Sequence, residues 1–216
     1  YASGISNLSN ETPGSSVHHA GTPVNERGRW YVVGILTLVY IFNFVDRQII
    51  SVLQEPMRAE LGMSDTQLGL LQGLTFALFY VAMGIPLARW ADVGVRRDVV
   101  ALAVGAWSVM TALCGVAQNF GQLLIARIGV GIGEAGGSPP SHSIISDLFP
   151  PGQRALPLAI YSSGITFGVF LAYVFGSWVS DNYGWRSVFI ALSIPGVILA
   201  LIVRLTISEP PRGRYD

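Results

Sequence analysis

Residues 120–149 read FGQLLIARIGVGIGEAGGSPPSHSIISDLF. The stretch is long and apolar enough for a helix that crosses a bilayer, which takes about 20 residues. Yet it carries Arg127 and Glu134 in its middle. The two charges are seven residues apart, almost two helical turns, so both side chains project from one face. Glycines recur every fourth residue at Gly129, Gly133 and Gly137, a spacing that lets another helix approach closely. Pro139 and Pro140 then break or kink the helix. The Gly131–Gly136 stretch matches the spacing GxGxxG, but no strand precedes it, so it is no nucleotide signal.

Five further runs of similar length flank this one, giving six expected spans: Trp30–Leu53, Thr66–Leu87, Val99–Ala117, Gly121–Leu148, Leu156–Ser180 and Ser187–Ile207. Between them lie short polar breaks. The first, Gln54–Asp65, holds Glu55, Pro56, Arg58 and Glu60, with Ser64 and Asp65 as helix N-caps. The composition agrees: 51% of residues are apolar and 12% charged, against about 25% charged in soluble chains. Thirteen arginines balance thirteen acidic residues with no lysine, so no net field draws the chain to nucleic acid. With an inner N-terminus, Arg27, Arg29, Arg89, Arg96, Arg97, Arg154, Arg204, Arg212 and Arg214 all fall on the cytoplasmic side. Only Arg58 and Arg186 fall outside, so the positive-inside rule places both ends of the segment in the cytoplasm. Trp30, Tyr31, Tyr183 and Trp185 sit at helix ends, where an aromatic belt is expected. Residues 1–28 are read as a disordered polar tail, in which His18 and His19 have no role. Residues 29–208 are the six-helix bundle. The lone Cys114 makes no internal disulfide and is expected to be a buried apolar residue. No metal site and no cofactor motif is visible.

Four ionisable residues interrupt apolar helices: Asp46, Arg47, Arg127 and Glu134. Such groups are costly in hydrocarbon and mark functional sites. Asp46 lies 16 residues beyond Trp30, about 24 Å along the first helix. Arg127 lies about 9 Å below the opposite surface on the antiparallel fourth helix. The depths agree, so Arg127 is expected to pair with Asp46. Glu134 falls near the midplane, where burial penalises a carboxylate's charged form and makes it a candidate proton carrier. Movement of Arg127 between partners would switch its protonation. Ser138 and Ser141 continue that face toward the cytoplasm. Cavity-lining candidates elsewhere are Phe42 and Asn43 on the first helix, Gln72, Thr75 and Phe79 on the second, and Thr166 and Tyr173 on the fifth. His142 is read as a hydrogen-bonded packing residue.

The residues resemble the major facilitator superfamily. Arg127-x-x-x-Gly131-x-Gly133 is similar to its fourth-helix motif, and Gly84 to Arg97 to its Gly/Asp/Arg loop, matching at Asp92, Arg96 and Arg97. Val93 and Val95 depart from the usual Arg and Gly. Asp147 followed by Arg154, and Gly184-Trp185-Arg186, are also typical. Within the superfamily, Asn43-Phe-Val-Asp46-Arg47 and Gly131-Ile-Gly133-Glu134-Ala135 resemble the Spinster family. That resemblance implies a bacterial inner-membrane carrier of lysolipids, sphingoid phosphates or similar amphipathic anions, driven by protons. It also implies Asp46, Arg47, Arg127 and Glu134 as coupling and substrate residues. Asp92, Arg96, Arg97, Asp147 and Arg154 would form a cytoplasmic gate. The fold implied is all-α, the N-terminal six helices of a twelve-helix transporter. Residues 209–216 then begin a cytoplasmic linker to a second six-helix bundle, since rocking transport needs two bundles.

Other functions compete. A sugar-acid or organic-anion carrier would use the same two arginines. An ion channel also places charges in the membrane. An intramembrane serine hydrolase would need Ser138 or Ser141 within reach of His142, but no nucleophile elbow surrounds either serine.

Overall fold

The structure is a computed structural model and describes residues 26–215. The first 25 residues, with their two histidines, lie outside the described part. Helix α1 spans Glu26–Leu61. A short helix α2, Asp65–Gly69, runs through a π-turn, Leu70–Leu74, into α3, Thr75–Val93. Then come α4, Arg96–Val116, α5, Phe120–Glu134, and α6, Ser138–Leu148. A single 3₁₀ turn, Pro151–Gln153, leads to α7, Ala155–Tyr183, and α8, Trp185–Thr206. By length and composition, α1, the continuous run Asp65–Val93, α4, α7 and α8 can each cross a membrane. The sixth crossing is the broken pair α5 and α6.

Two features depart from the sequence reading, and a third, the break before the prolines, follows it. The helix α1 starts at Glu26, ahead of the expected residue 29; Glu26 sits in its first turn and accepts from Arg29 at 3.0 Å. It also continues eight residues past Leu53, carrying Pro56 inside it. Tertiary anchors hold that extension: Glu60 accepts from Trp185 Nε1 at 2.7 Å and from Arg186. The turn that remains, Gly62–Ser64, ends in the expected N-cap, with Ser64 and Gln67 forming a capping box. Finally, α5 stops at Glu134, before the prolines. Pro139 would clash with the carbonyl four residues back, so the chain turns over Ala135–Gly137 and α6 begins with its prolines in the first turn.

The bundle is organised by two tight seams, α1 along α7 and α4 along α8 and α5. A Cβ on Gly168 would lie 2.6 Å from the Ile41 carbonyl oxygen and from Phe44 Cβ. One on Gly133 would lie 2.8 Å from the backbone nitrogen of Trp107. Only glycine permits backbones that close. Trp107, Tyr161 and Phe189 fill the interior with Leu36, Ile49 and Ile50, and Cys114 is buried among apolar neighbours as expected. Leu74, Leu78, Val81 and Ile85 on α3 are exposed, as are Phe167, Phe170, Val174 and Trp178 on α7. So much carbon on the outside suits a lipid environment or another helical bundle rather than water. Trp30, Tyr31 and Tyr183 are exposed, but Trp185 is 3% exposed. It is not a belt residue: its indole is turned inward by the hydrogen bond to Glu60.

Candidate transport site

Asp46 and Arg47 are adjacent on α1 and therefore point about 100° apart. That angle sends them to different neighbours. Arg47 reaches α5, where its Nε donates to Glu134 Oε2 at 2.7 Å. Its guanidinium lies 4.5 Å from the centre of the Tyr80 ring and 5.3 Å from those of Phe44 and Phe76. Asp46 turns to α4, where its carboxylate accepts from Thr111 Oγ1 at 3.1 Å. Arg127 Nη1 donates to the backbone carbonyl of Asp46 at 3.2 Å, and the guanidinium also faces the Phe76 ring.

Arg127 meets Asp46 across α1 and α5 as expected, but its hydrogen bond goes to the peptide of Asp46. The cation held by Glu134 is Arg47. Axial height follows from counting residues. Rotation about the axis does not, because it is fixed by the packing of α1 on α7. Asp46, Arg127 and Glu134 are all buried, while the Arg47 side chain is 27% exposed. Two buried polar atoms in the cluster have no partner among the described residues, Arg127 Nε and Glu134 Oε1. A buried ion pair is held at a desolvation cost that its own attraction barely offsets, so leaving atoms unpaired adds to that cost. The cluster is charged, partly open and unsatisfied.

The cavity candidates scatter. Asn43 is buried, and Phe42 lines a carbon-walled pocket of about 250 Å³ between α1, α7 and α8, with Phe175 and Pro195. Thr75 and Phe79 are half-buried, and the rings that cover Arg47 from α3 are Phe76 and Tyr80. The π-turn is the reason. It winds with about one residue more per turn, so the face that holds Gln72 continues through Phe76 and Tyr80. Thr166 and Tyr173 are exposed on α7. Ser141 Oγ donates to the Gly137 carbonyl at 2.7 Å, and Ser138 Oγ lies 3.4 Å from the Tyr161 hydroxyl. His142 donates through Nδ1 to the Ser138 carbonyl at 3.0 Å and rests edge-on against Tyr161. Both hydroxyls and the imidazole are thus engaged elsewhere, which is not a hydrolase arrangement.

A pocket of about 480 Å³ opens beside the charges toward the C-terminal end of α1, lined by Arg47, Gln48, Ser51, Gln72, Phe76 and Arg127. Gln72 is tied across to Gln54 at 2.8 Å. At the opposite end of the bundle, Arg96 is 3% exposed and pairs with Asp147, with Glu209 at 2.7 Å and with Ser143 at 2.7 Å. The Arg97 backbone N–H donates to Glu209, and its guanidinium to Asp98. Arg154 Nε donates to the carbonyls of Ser146 and Phe149. Asp92 enters through its backbone carbonyl, which accepts from Arg212. Glu209, Phe44, Phe76, Tyr80, Thr111 and Tyr161 were not singled out by the sequence. An aromatic at Phe76 and another four residues on was the available signal for two of them.

An all-helical membrane bundle that gathers opposite charges on one wall, beside a pocket, is the architecture of a membrane carrier. The comparisons agree: the Major Facilitator Superfamily matches residues 36–216. A crystal structure of a bacterial homologue of the human lysosomal transporter Spinster, inward-facing and unoccupied, superposes with a TM-score of 0.84 at 43% identity, covering 89% of this chain and 46% of that one. An MFS-type efflux pump of Mycolicibacterium smegmatis is 39% identical over 182 residues, 84% of this chain and 42% of the pump. Protein spinster of Drosophila melanogaster is 31% identical over 191 residues, 88% of this chain and 31% of that protein. The chain belongs to the Major Facilitator Superfamily and is a multi-pass membrane protein. It spans less than half the length of these relatives.

Proposed function

We propose that the whole protein is a proton-coupled carrier of an amphipathic anion, such as a lysophospholipid or sphingoid phosphate, working by alternating access. The chain described would supply one wall, with both ends in the cytoplasm, and a second six-helix bundle the other. The single observation that carries this reading is the Arg47–Glu134 pair held under Phe44, Phe76 and Tyr80. Arg47 is the partly open member of the pair, so an anionic head can reach it, and the rings accept the apolar part next to it. Glu134 and the substrate anion then compete for one guanidinium. When the anion takes Arg47, Glu134 loses the one cation that hydrogen-bonds it and takes up a proton, because a buried carboxylate stripped of its bonded cation is too costly. Proton and anion therefore occupy the site together. Asp46 and Arg127 hold the cluster in place from α1 and α5. The Arg96, Arg97, Asp147, Arg154 and Asp92 region acts as the cytoplasmic gate.

The test is uptake of a labelled lysophospholipid into proteoliposomes holding the full two-bundle protein, with and without a pH gradient. Gradient-driven, saturable uptake that is lost in Glu134→Gln and reduced in Asp46→Asn is expected. Uptake of a sugar acid in place of the lipid would move the substrate class while keeping the coupling. Flux that neither saturates nor responds to the gradient would identify a channel.

A further inference from the structure

We infer that the 480 Å³ pocket beside Arg47 is the head-group subsite, and that Gly69 and Gly73 set the size of head it takes: an oxyanion carrying further hydrogen-bonding groups. This rests on the carrier reading above and extends it to the chemistry of the ligand.

The pocket's polar lining is specific. Two arginines, Arg47 and Arg127, line it, and Gln48, Ser51 and Gln72 add amide- and hydroxyl-bearing residues. Arg127 is 3% exposed, and its Nε has no partner. A buried guanidinium N–H without an acceptor is costly, and a phosphate or carboxylate oxygen in the pocket would satisfy it. An anion there would bridge both arginines, and its hydroxyl or ester oxygens would meet the amides.

The glycines need a separate explanation, which the backbone does not supply. Gly69 has φ −60° and ψ −37°, ordinary helical values open to any residue, and Gly73 sits within the helical run Asp65–Val93. Packing does not supply it either. A Cβ built on Gly69 or Gly73 meets nothing within 4 Å, unlike one on Gly168 or Gly133. Both glycines line the pocket, and glycine inside a helix costs about 1 kcal/mol against alanine. What their missing side chains leave free is space in the pocket. The π-turn that carries Gly73 has the same effect, since it turns Gln72 and Phe76 onto that wall.

The experiment measures equilibrium binding to the full-length protein in detergent. The probes are lysophosphatidic acid, lysophosphatidylglycerol and lysophosphatidylinositol, which share a tail and grow in head size, together with galactonate as a tail-free hydroxy acid. Wild type is compared with Gly73→Ala and Gly73→Val, and thermal unfolding confirms that each variant folds. Gly73→Val is expected to weaken the inositol head about tenfold, ~1.4 kcal/mol, and the bare phosphate head much less. Gly73→Ala falls between. Equal weakening of all heads would mean that the glycines are contacts for another helix, and would overturn the proposal. Unchanged binding throughout would also overturn it. If wild type binds galactonate and no lysolipid, and Gly73→Val still blocks it, the lipid reading fails and the subsite stands. If wild type binds lysolipids with no dependence on Gly73, the subsite fails alone. Binding of neither class overturns both.

Discussion

Glu134 keeps one oxygen on Arg47 and one without a partner, at a position with no solvent exposure of the side chain. The two residues therefore do not respond equally to loss of their mate. Arg47→Leu leaves a carboxylate buried with no salt-bridge cation and is expected to destabilise the protein by about 3–5 kcal/mol if the group stays charged. Replacing both, Arg47→Leu with Glu134→Leu, removes the uncompensated charge and recovers most of that loss while abolishing gradient-driven uptake. Thermal unfolding in detergent, read beside uptake, separates the two effects. A double variant less stable than the single one would show that the pair holds the bundle together. At Asp46 the expectation differs. Its carboxylate is held by a neutral Thr111 hydroxyl, so Thr111→Val removes one hydrogen bond and costs about 1–3 kcal/mol.

At the scale of elements, the seams and the turns divide the glycines into two kinds. Gly168 lets α7 lie against the backbone of α1, and a methyl there meets Ile41 and Phe44. Gly168→Ala is expected to cost about 1–3 kcal/mol through overpacking, visible as a lower melting temperature of the purified protein. Gly73→Ala, in open space, is expected to leave stability unchanged or slightly raised. Both lie in apolar runs, and nothing in their immediate sequence tells them apart. The number of apolar runs and the breaks at Ser64 and after Gly137 were legible for the opposite reason. A run of about 20 apolar residues is a local property, and so are a capping box at Ser64 and paired prolines after Gly137. The π-turn was not legible, because its one extra residue per turn changes no residue type. The rings it brings over Arg47, Phe76 and Tyr80, were therefore not singled out.

Across the whole molecule, the end of the bundle away from the pocket is tied by Arg96. It joins α4 to α6 through Asp147 and Ser143, and to the chain beyond α8 through Glu209 and the Pro210 carbonyl. Glu209, in the stretch read as the start of a linker, is docked on the bundle. Arg96→Ala is expected to cost about 3–5 kcal/mol, because it strands Asp147 and frees Glu209 together. Faster proteolysis after Ile207 would accompany the loss, and wild-type cleavage rates in that variant would argue against the docking. The same segment covers the Gly94 turn through Arg212, which donates to the carbonyls of Ala91, Asp92 and Gly94.

The sequence by itself determined that this is an all-helical membrane chain and where its helices break. It also singled out the four charges that interrupt apolar helices and that the fold brings together. These are properties of run length, composition and rise per residue, all summed along the chain. Only the tertiary structure decided that Glu134 is held by Arg47, that Phe76 and Tyr80 lie over that arginine, and that Glu209 closes on Arg96. Each of those depends on rotation about a helix axis or on contact between residues more than 80 positions apart. Rotation is set by how glycine seams and side chains interlock, and no local periodicity encodes it.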